Sequence, residues 1–290
     1  MGTVFRFLGS DETISGLIAQ SGHLSAESAT YQNVYIIEHS GADSVFPFVT
    51  SEASGSELGV NYFFIPGQHL ALIHFSESGN RFVLFRQPSQ PNTADVLRLI
   101  YQWLVGDSAV PIHGGTISWG EKTALVSNIG GSGKSSLIIS AVLSGAKTTG
   151  DDFGLMQTGE NFKQFTAWSQ FQTFKLASGS PSRQLVVSPP LFQANGKGIY
   201  SFESEVRGSV EMKQPIDQIV IPILGATLSA RPASLEESIK HIAISSSGMA
   251  LERARTTLEL VKMCKQTPSV ILTLPRTSVA NAAFLREMLS

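Results

Sequence analysis

Residues 123–145 read TALVSNIGGSGKSSLIISAVLSG, and they decide the fold. The first seven, 123–129, form an apolar, β-branched run of the kind a buried strand needs. Gly130, Gly131 and Gly133 then break the run, and an apolar helix follows from Ser135 to Leu143 before Ser144-Gly145 stops it. Strand, glycine turn and helix in this order are the context of a phosphate-binding loop. The glycines let the backbone wind into a nest of inward-facing N–H groups, which the positive end of the next helix reinforces. Lys134 would reach the β- and γ-phosphates and Ser135 would coordinate Mg²⁺. Asn128, Ser132 and Ser136 complete the expected nucleotide-binding stretch. The usual pattern, G-x-x-x-x-G-K-[ST], has glycine where this chain has Asn128, a residue that tolerates a left-handed backbone better than most.

A phosphate loop needs a carboxylate partner. The later apolar runs, 217–224 (DQIVIPIL) and 269–274 (SVILTL), end without one, and VYIIE at 34–38 lies upstream of the loop. Asp151 and Asp152 follow Lys134 by only 17 and 18 residues. One short helix and one short strand over 146–150 would return them to the carboxyl edge of the sheet, where ligands bind. Two adjacent carboxylates can divide the work, one assisting Mg²⁺ and the other accepting a proton from an attacking hydroxyl. His113, in PIHGGTIS, opens the strand pair 116–118 and 123–127 that feeds the loop.

Further out, runs at 3–8, 33–38, 69–75 and 81–86 read as strands, the last two as a hairpin across ESGN. Val96, Leu97, Ile100, Trp103 and Leu104 recur at helical spacing from Thr93 to Val105. Strands are also expected over 184–188 and 198–203. Ser234 with Glu237 forms a capping box opening a helix near 235–242. A helix over 249–266 should bury Leu251, Leu258 and Val261, and a closing helix covers 278–289. The aromatics Phe162, Phe165, Trp168, Phe171 and Phe174 read as core. The organisation is a β-rich domain over 1–107 and a phosphate-loop domain over 108–290.

Composition excludes much else. Charged residues make up 15% of 290, against roughly 25% in an average soluble protein. There are 38 serines, the net charge is −2, and neither nucleic acid nor an anionic membrane is indicated as a partner. No apolar run reaches the ~18 residues of a membrane span, and a cytoplasmic location is expected. The single cysteine, Cys264, excludes a disulfide framework and reads as core. His69 and His74 would face opposite sides of one strand and suit no metal.

IHGGTIS (112–118), NIGGSGKSS (128–136) and TGDDF (149–153), in this order and at these intervals, resemble the HPr kinase/phosphorylase family and its small kinase-like relatives. The resemblance implies an α/β kinase core of the HPr kinase/phosphoenolpyruvate carboxykinase type, with a β-rich N-terminal portion. It implies an ATP- and Mg²⁺-dependent serine kinase. Asp151 would be the general base, Lys134 and the loop would hold ATP, Ser135 and Asp152 would serve Mg²⁺, and His113 would orient the phosphate or Asp151. The family's downstream glycine-rich signature is missing. NGKG at 195–198 stands nearest to it, with Lys197 as a further catalytic candidate. The expected acceptor is a peptide or protein serine, biosynthetic precursor peptides included, and the reading leaves room for a homo-oligomer. Two alternatives use the same loop: a kinase of small hydroxylated metabolites, and a nucleotide-binding regulatory protein that transfers nothing.

Overall fold

The structure is a computed structural model, and it describes residues 5–8, 32–38, 53–57, 60–65, 70–75, 81–85, 93–157, 164–194, 196–276 and 278–289. The chain divides into two compact units, Met1–Trp103 and Leu104–Ser290. In the first, β1 (Phe5–Leu8), β2 (Gln32–Glu38), β3 (Ala53–Glu57), β4 (Val60–Ile65), β5 (Leu70–Phe75) and β6 (Arg81–Phe85) form one sheet in the order β1-β2-β6-β5-β4-β3. The hairpin expected from the apolar runs is β5–β6, pairing antiparallel from Leu70↔Phe85 to His74↔Arg81. Strands β3 and β4 had no counterpart in the reading of the sequence. Helix α1 spans Thr93–Val105. His69 and Phe162 lie outside the described residues.

The second unit is mixed α/β. Its central sheet contains β8 (Gly114–Trp119), β9 (Lys122–Ser127), β16 (Gln218–Leu224), β17 (Ser229–Pro232) and β18 (Ser269–Leu274), in the order β17-β18-β16-β9-β8. The three middle strands are parallel, and both edge strands run antiparallel to them. A parallel sheet is buried on both faces, which explains the near-continuous apolar runs of 123–127, 218–224 and 269–274. Alternate residues serve alternate faces. Ala124, Val126, Val220, Leu272 and Leu274 pack with α2 (Lys134–Leu143) on one side, whereas Leu125, Ile219, Ile221 and Ile271 pack in a second core on the other.

Two smaller sheets flank this one. The strands β7 (Ala109–Ile112), β10 (Gly154–Gln157), β11 (Thr166–Ser169) and β15 (Lys213–Pro215) form the first, in the order β15-β11-β10-β7. The second joins β12 (Thr173–Ala177), β13 (Phe192–Ala194) and β14 (Lys197–Ser201), in the order β12-β14-β13. Phe174 stacks on Tyr200 at 5.4 Å and meets Phe202 at 4.7 Å, so the later aromatics of the 162–174 series build core as expected. After α3 (Phe202–Glu205), the Ser234 cap opens α4 (Leu235–Ser238) through the full capping box. A π-helical turn (Ile239–Ala243) then leads into α5 (Ile244–Ser247), and α6 (Arg253–Gln266) and α7 (Ser278–Leu289) complete the chain.

Three expectations need correcting. Residues 184–188 are not a strand: Pro181 opens a 3₁₀ turn over Pro181–Leu185, where its fixed φ suits a helical start. Helix α6 begins at Arg253, after Leu251, and turns a different face to the core from the expected one. It buries Thr256, Leu260, Met263 and Cys264, while Leu258 is 57% exposed. The stretch 146–150 is not a strand but is pinned by two bridges, Lys147 to Ser118 and Thr148 to Val210. Burial pushes the Cys264 thiol up to about 11, so it stays protonated and packs as an apolar group.

Candidate functional site

The β8–β9 hairpin brings both ends of the site together. Gly114 pairs with Ser127, so His113 and Asn128 leave the hairpin side by side. The Ser127 hydroxyl donates to the His113 carbonyl at 2.8 Å, and the His113 N–H donates to Ser246 Oγ at 3.0 Å. From Asn128 the chain turns through Gly131 (φ +80°) and Gly133 (φ +96°), left-handed conformations that favour glycine, and enters α2 at Lys134. The first N–H groups of a helix have no intrahelical partner, so those of α2 point out toward the loop.

Asn128 replaces the pattern's glycine because it is an anchor. It is 2% exposed, and its Nδ2 donates to the Pro222 carbonyl at 2.7 Å. Its Oδ1 accepts from the Ile129 N–H at 2.7 Å and from His241 Nδ1 at 2.9 Å. The π-helical turn is the segment that carries His241 to it. Asn128→Gly, which restores the common pattern, should therefore destabilise the protein by about 2 kcal/mol, read as a lower urea midpoint with an unchanged slope.

Lys134 is 5% exposed and folds back on the loop, donating to the carbonyls of Asn128 (2.7 Å) and Ile129 (3.0 Å). Burial pushes its ammonium below the ordinary lysine range, and the nearby Asp152 and Asp151 only partly oppose this.

The aspartates return to the loop because two glycines touch. A Cβ on Gly115 would lie 1.8 Å from the Gly150 carbonyl oxygen, so β8 and the 148–152 turn pack backbone to backbone. Polar bonds fix the approach: the Thr149 N–H donates to Thr116 Oγ1 at 2.9 Å, and Gln214 bonds to both Thr116 and Ser118. The two carboxylates then part company. Asp151 is 1% exposed and lies inward, where its carboxylate accepts the Lys175 N–H at 3.2 Å and the Ser135 hydroxyl. Its Oδ1 is buried without a partner. Asp152 borders the cleft with 39% of its side chain exposed, taking His113 Nε2 at 3.2 Å on one oxygen and Lys175 Nζ at 2.9 Å on the other.

Their ionisation diverges for stated reasons. Burial, and then the Asp152 charge, raise the Asp151 carboxyl to about 6, against the pull of the Lys175 N–H and Ser135. Burial acts on Asp152 as well, but the His113 and Lys175 bonds outweigh it and hold that carboxyl well below the usual range. A raised carboxyl favours the folded state at acid pH, and that stability is lost as pH climbs through about 6. In chelator and without nucleotide, the parent should therefore lose roughly 2–3 kcal/mol between pH 4 and 7 that Asp151→Asn does not lose, measured by urea unfolding across pH.

Lys134, Asp152 and Lys175 share a cleft of about 470 Å³, whereas His113 and Asp151 are not among its lining residues. Gly130, Gly131, Gly133, Lys134, Ser135 and Ser136 line its floor. Ser132 and Asn128 do not reach it: both are buried, and the Ser132 hydroxyl has no hydrogen-bond partner. Residues of β12 and the start of β14 line it as well, among them Lys175 and Lys197, as do Arg276 and, beside Gly133, Leu224 and Leu274. Lys175 and Arg276 were absent from the sequence reading, since a lone basic residue at the end of a strand or within one looks like solvent-facing surface. Among the described residues no group of three or more His, Cys, Asp or Glu side chains could hold a metal ion. The fitting pair is Ser135 and Asp151, a hydroxyl and a carboxylate whose buried Oδ1 is unpartnered. No helix among the described residues is long and apolar enough to cross a membrane.

No protein-family model matches the chain, and no curated protein matches it. Among solved structures, the Hpr(Ser) kinase/phosphatase from Coxiella burnetii is similar over 61% of this chain and 95% of its own, at 10% identity and a TM-score of 0.36. A likeness at that identity and score carries no argument by itself.

Proposed function

We propose that the chain is an ATP- and Mg²⁺-dependent phosphotransferase that moves the terminal phosphoryl group to a hydroxyl, a serine of a peptide or protein. One observation carries the reading: Lys134 and Asp152 border a single cleft at a glycine loop, with Ser135 joined to the second carboxylate beneath. The loop N–H groups bind phosphate oxygens, and Lys134 exchanges its bonds to the Asn128 and Ile129 carbonyls for bonds to phosphate.

The carboxylates take roles opposite to those the family resemblance implies. A group that meets the acceptor must border the cleft, and that is Asp152. Its low affinity for protons is no obstacle. In a loose phosphoryl-transfer transition state the hydroxyl proton leaves late, so a weak base placed close suffices. As the acceptor oxygen forms its bond to phosphorus, the bond from phosphorus to the bridging oxygen of ADP breaks and the proton passes to Asp152. His113 donates to Asp152 and fixes the direction of its free lone pairs. Ser135 and Asp151 would hold the divalent cation, which when bound neutralises charge on the β- and γ-phosphates. Its presence would also return Asp151 to the ionised form.

The test is transfer of label from γ-labelled ATP to serine-containing peptides, with small hydroxy compounds in parallel. Labelled phosphoserine is the expected product. Turnover of small compounds alone would move the acceptor to metabolites. Tight ATP binding with no ADP formed over any acceptor would overturn the reading in favour of a regulatory nucleotide-binding protein.

A further inference from the structure

One β-sheet contributes lining to the cleft, and its register says which of its side chains share a face. Strands β12 and β14 pair antiparallel, with Ala177 opposite Lys197 and Lys175 opposite Ile199. Directly opposed residues share a face, as do residues two apart on one strand. Lys175, Ala177 and Lys197 therefore lie on one face, and all three line the cleft. Phe174 and Leu176 belong to the core on the other side of β12, although Leu176 also borders the cleft.

The two lysines differ in their partners. The ammonium of Lys175 is held by Asp152 at 2.9 Å. Lys197 is exposed, and its ammonium has no hydrogen-bond or ion-pair partner among the described residues. Among the described residues Asp152 is the one acid in the cleft lining, and each of its oxygens already meets a partner, His113 or Lys175. Lys197 also lies within electrostatic reach of Lys134, whose ammonium it disfavours. Two cations lining one cleft, with a single carboxylate among its described residues, make a place suited to an anion.

We infer that Lys197 contacts the terminal phosphate of the bound nucleotide, so that it and Lys134 bracket the phosphoryl group being transferred. The inference rests on the phosphotransferase reading and adds a catalytic residue to it. Charge spreads over the three equatorial oxygens as the bond to ADP breaks and the bond to the acceptor forms, and a second ammonium at that group stabilises it.

Equilibrium binding separates the two ideas. Calorimetry with MgATP and MgADP is run on the full chain, on Lys197→Met and on Lys197→Arg, with thermal melts to confirm folding. The parent should prefer ATP to ADP. Lys197→Met should lose roughly tenfold in ATP affinity while its ADP affinity holds, and Lys197→Arg should keep most of the preference. Equal weakening of both nucleotides, or no change in either, overturns the inference and leaves the phosphotransferase reading standing. A parent that binds neither nucleotide overturns both.

Discussion

An Asp152→Asn protein is expected to bind ATP at least as tightly as its parent and to transfer phosphate ~10²–10⁴-fold more slowly. The substitution keeps the side chain's shape and its oxygen toward His113 while removing the charge that accepts the proton. Removing one negative group from a cleft that must hold a polyanion favours nucleotide binding, which is why affinity should not fall. Asp151→Asn should behave differently, with its defect read mainly as a raised requirement for Mg²⁺. Ser135 stays hydrogen-bonded, but the carboxylate charge beside it is gone. Single-turnover rates and Mg²⁺ titrations of the two variants separate the roles. Full transfer by Asp152→Asn, with none by Asp151→Asn at saturating Mg²⁺, would return the base to Asp151.

The second large effect belongs to a residue with no side chain. Gly115→Ala places a methyl group 1.8 Å from the Gly150 carbonyl oxygen and 2.7 Å from its carbon. Both are backbone atoms and cannot swing aside, so either β8 or the 148–152 turn must move. A cost of about 3 kcal/mol or more is expected, seen as a fall in the urea midpoint. Gly179→Ala is the control: nothing lies within 4 Å of its added Cβ, and stability should stay within about 0.5 kcal/mol. If Gly115→Ala folds with parental stability, transfer should still fall, because the displaced turn carries both aspartates.

The strand, loop and helix of 123–143 were legible because each announces itself locally: a run of apolar residues, glycines where φ turns positive, then a helix-forming run. Other features depend on contacts that no local pattern encodes. Lys175 alternates with Phe174 and Leu176 as any half-buried strand would, and its polar face reads as solvent until β14 and the Gly115–Gly150 contact place it beside Asp152. Which of two adjacent carboxylates faces the cleft was equally hidden. The preceding backbone sets it, with Gly150 at φ +131°, and composition does not. Asn128 looked like a tolerated departure from the glycine pattern, yet its partners are Pro222 and His241, some 94 and 113 residues away. The phase error in α6 has a simpler origin: Leu251 precedes the helix, and the expected Leu258 and the buried Leu260, two residues apart, lie on nearly opposite faces.

The hairpin of β8 and β9 has a consequence for how the chain could be rewired. His113 and Asn128 are neighbours through six cross-strand pairs, from Gly114↔Ser127 to Trp119↔Lys122, and not through the length of chain between them. The tip at Gly120 (φ +63°) has open space around it. The chain could be cut there and keep both halves of the site in register, because the pairing is the ruler. A single residue inserted within either strand would instead exchange the two cores that the hairpin serves, because every side chain beyond it would change faces.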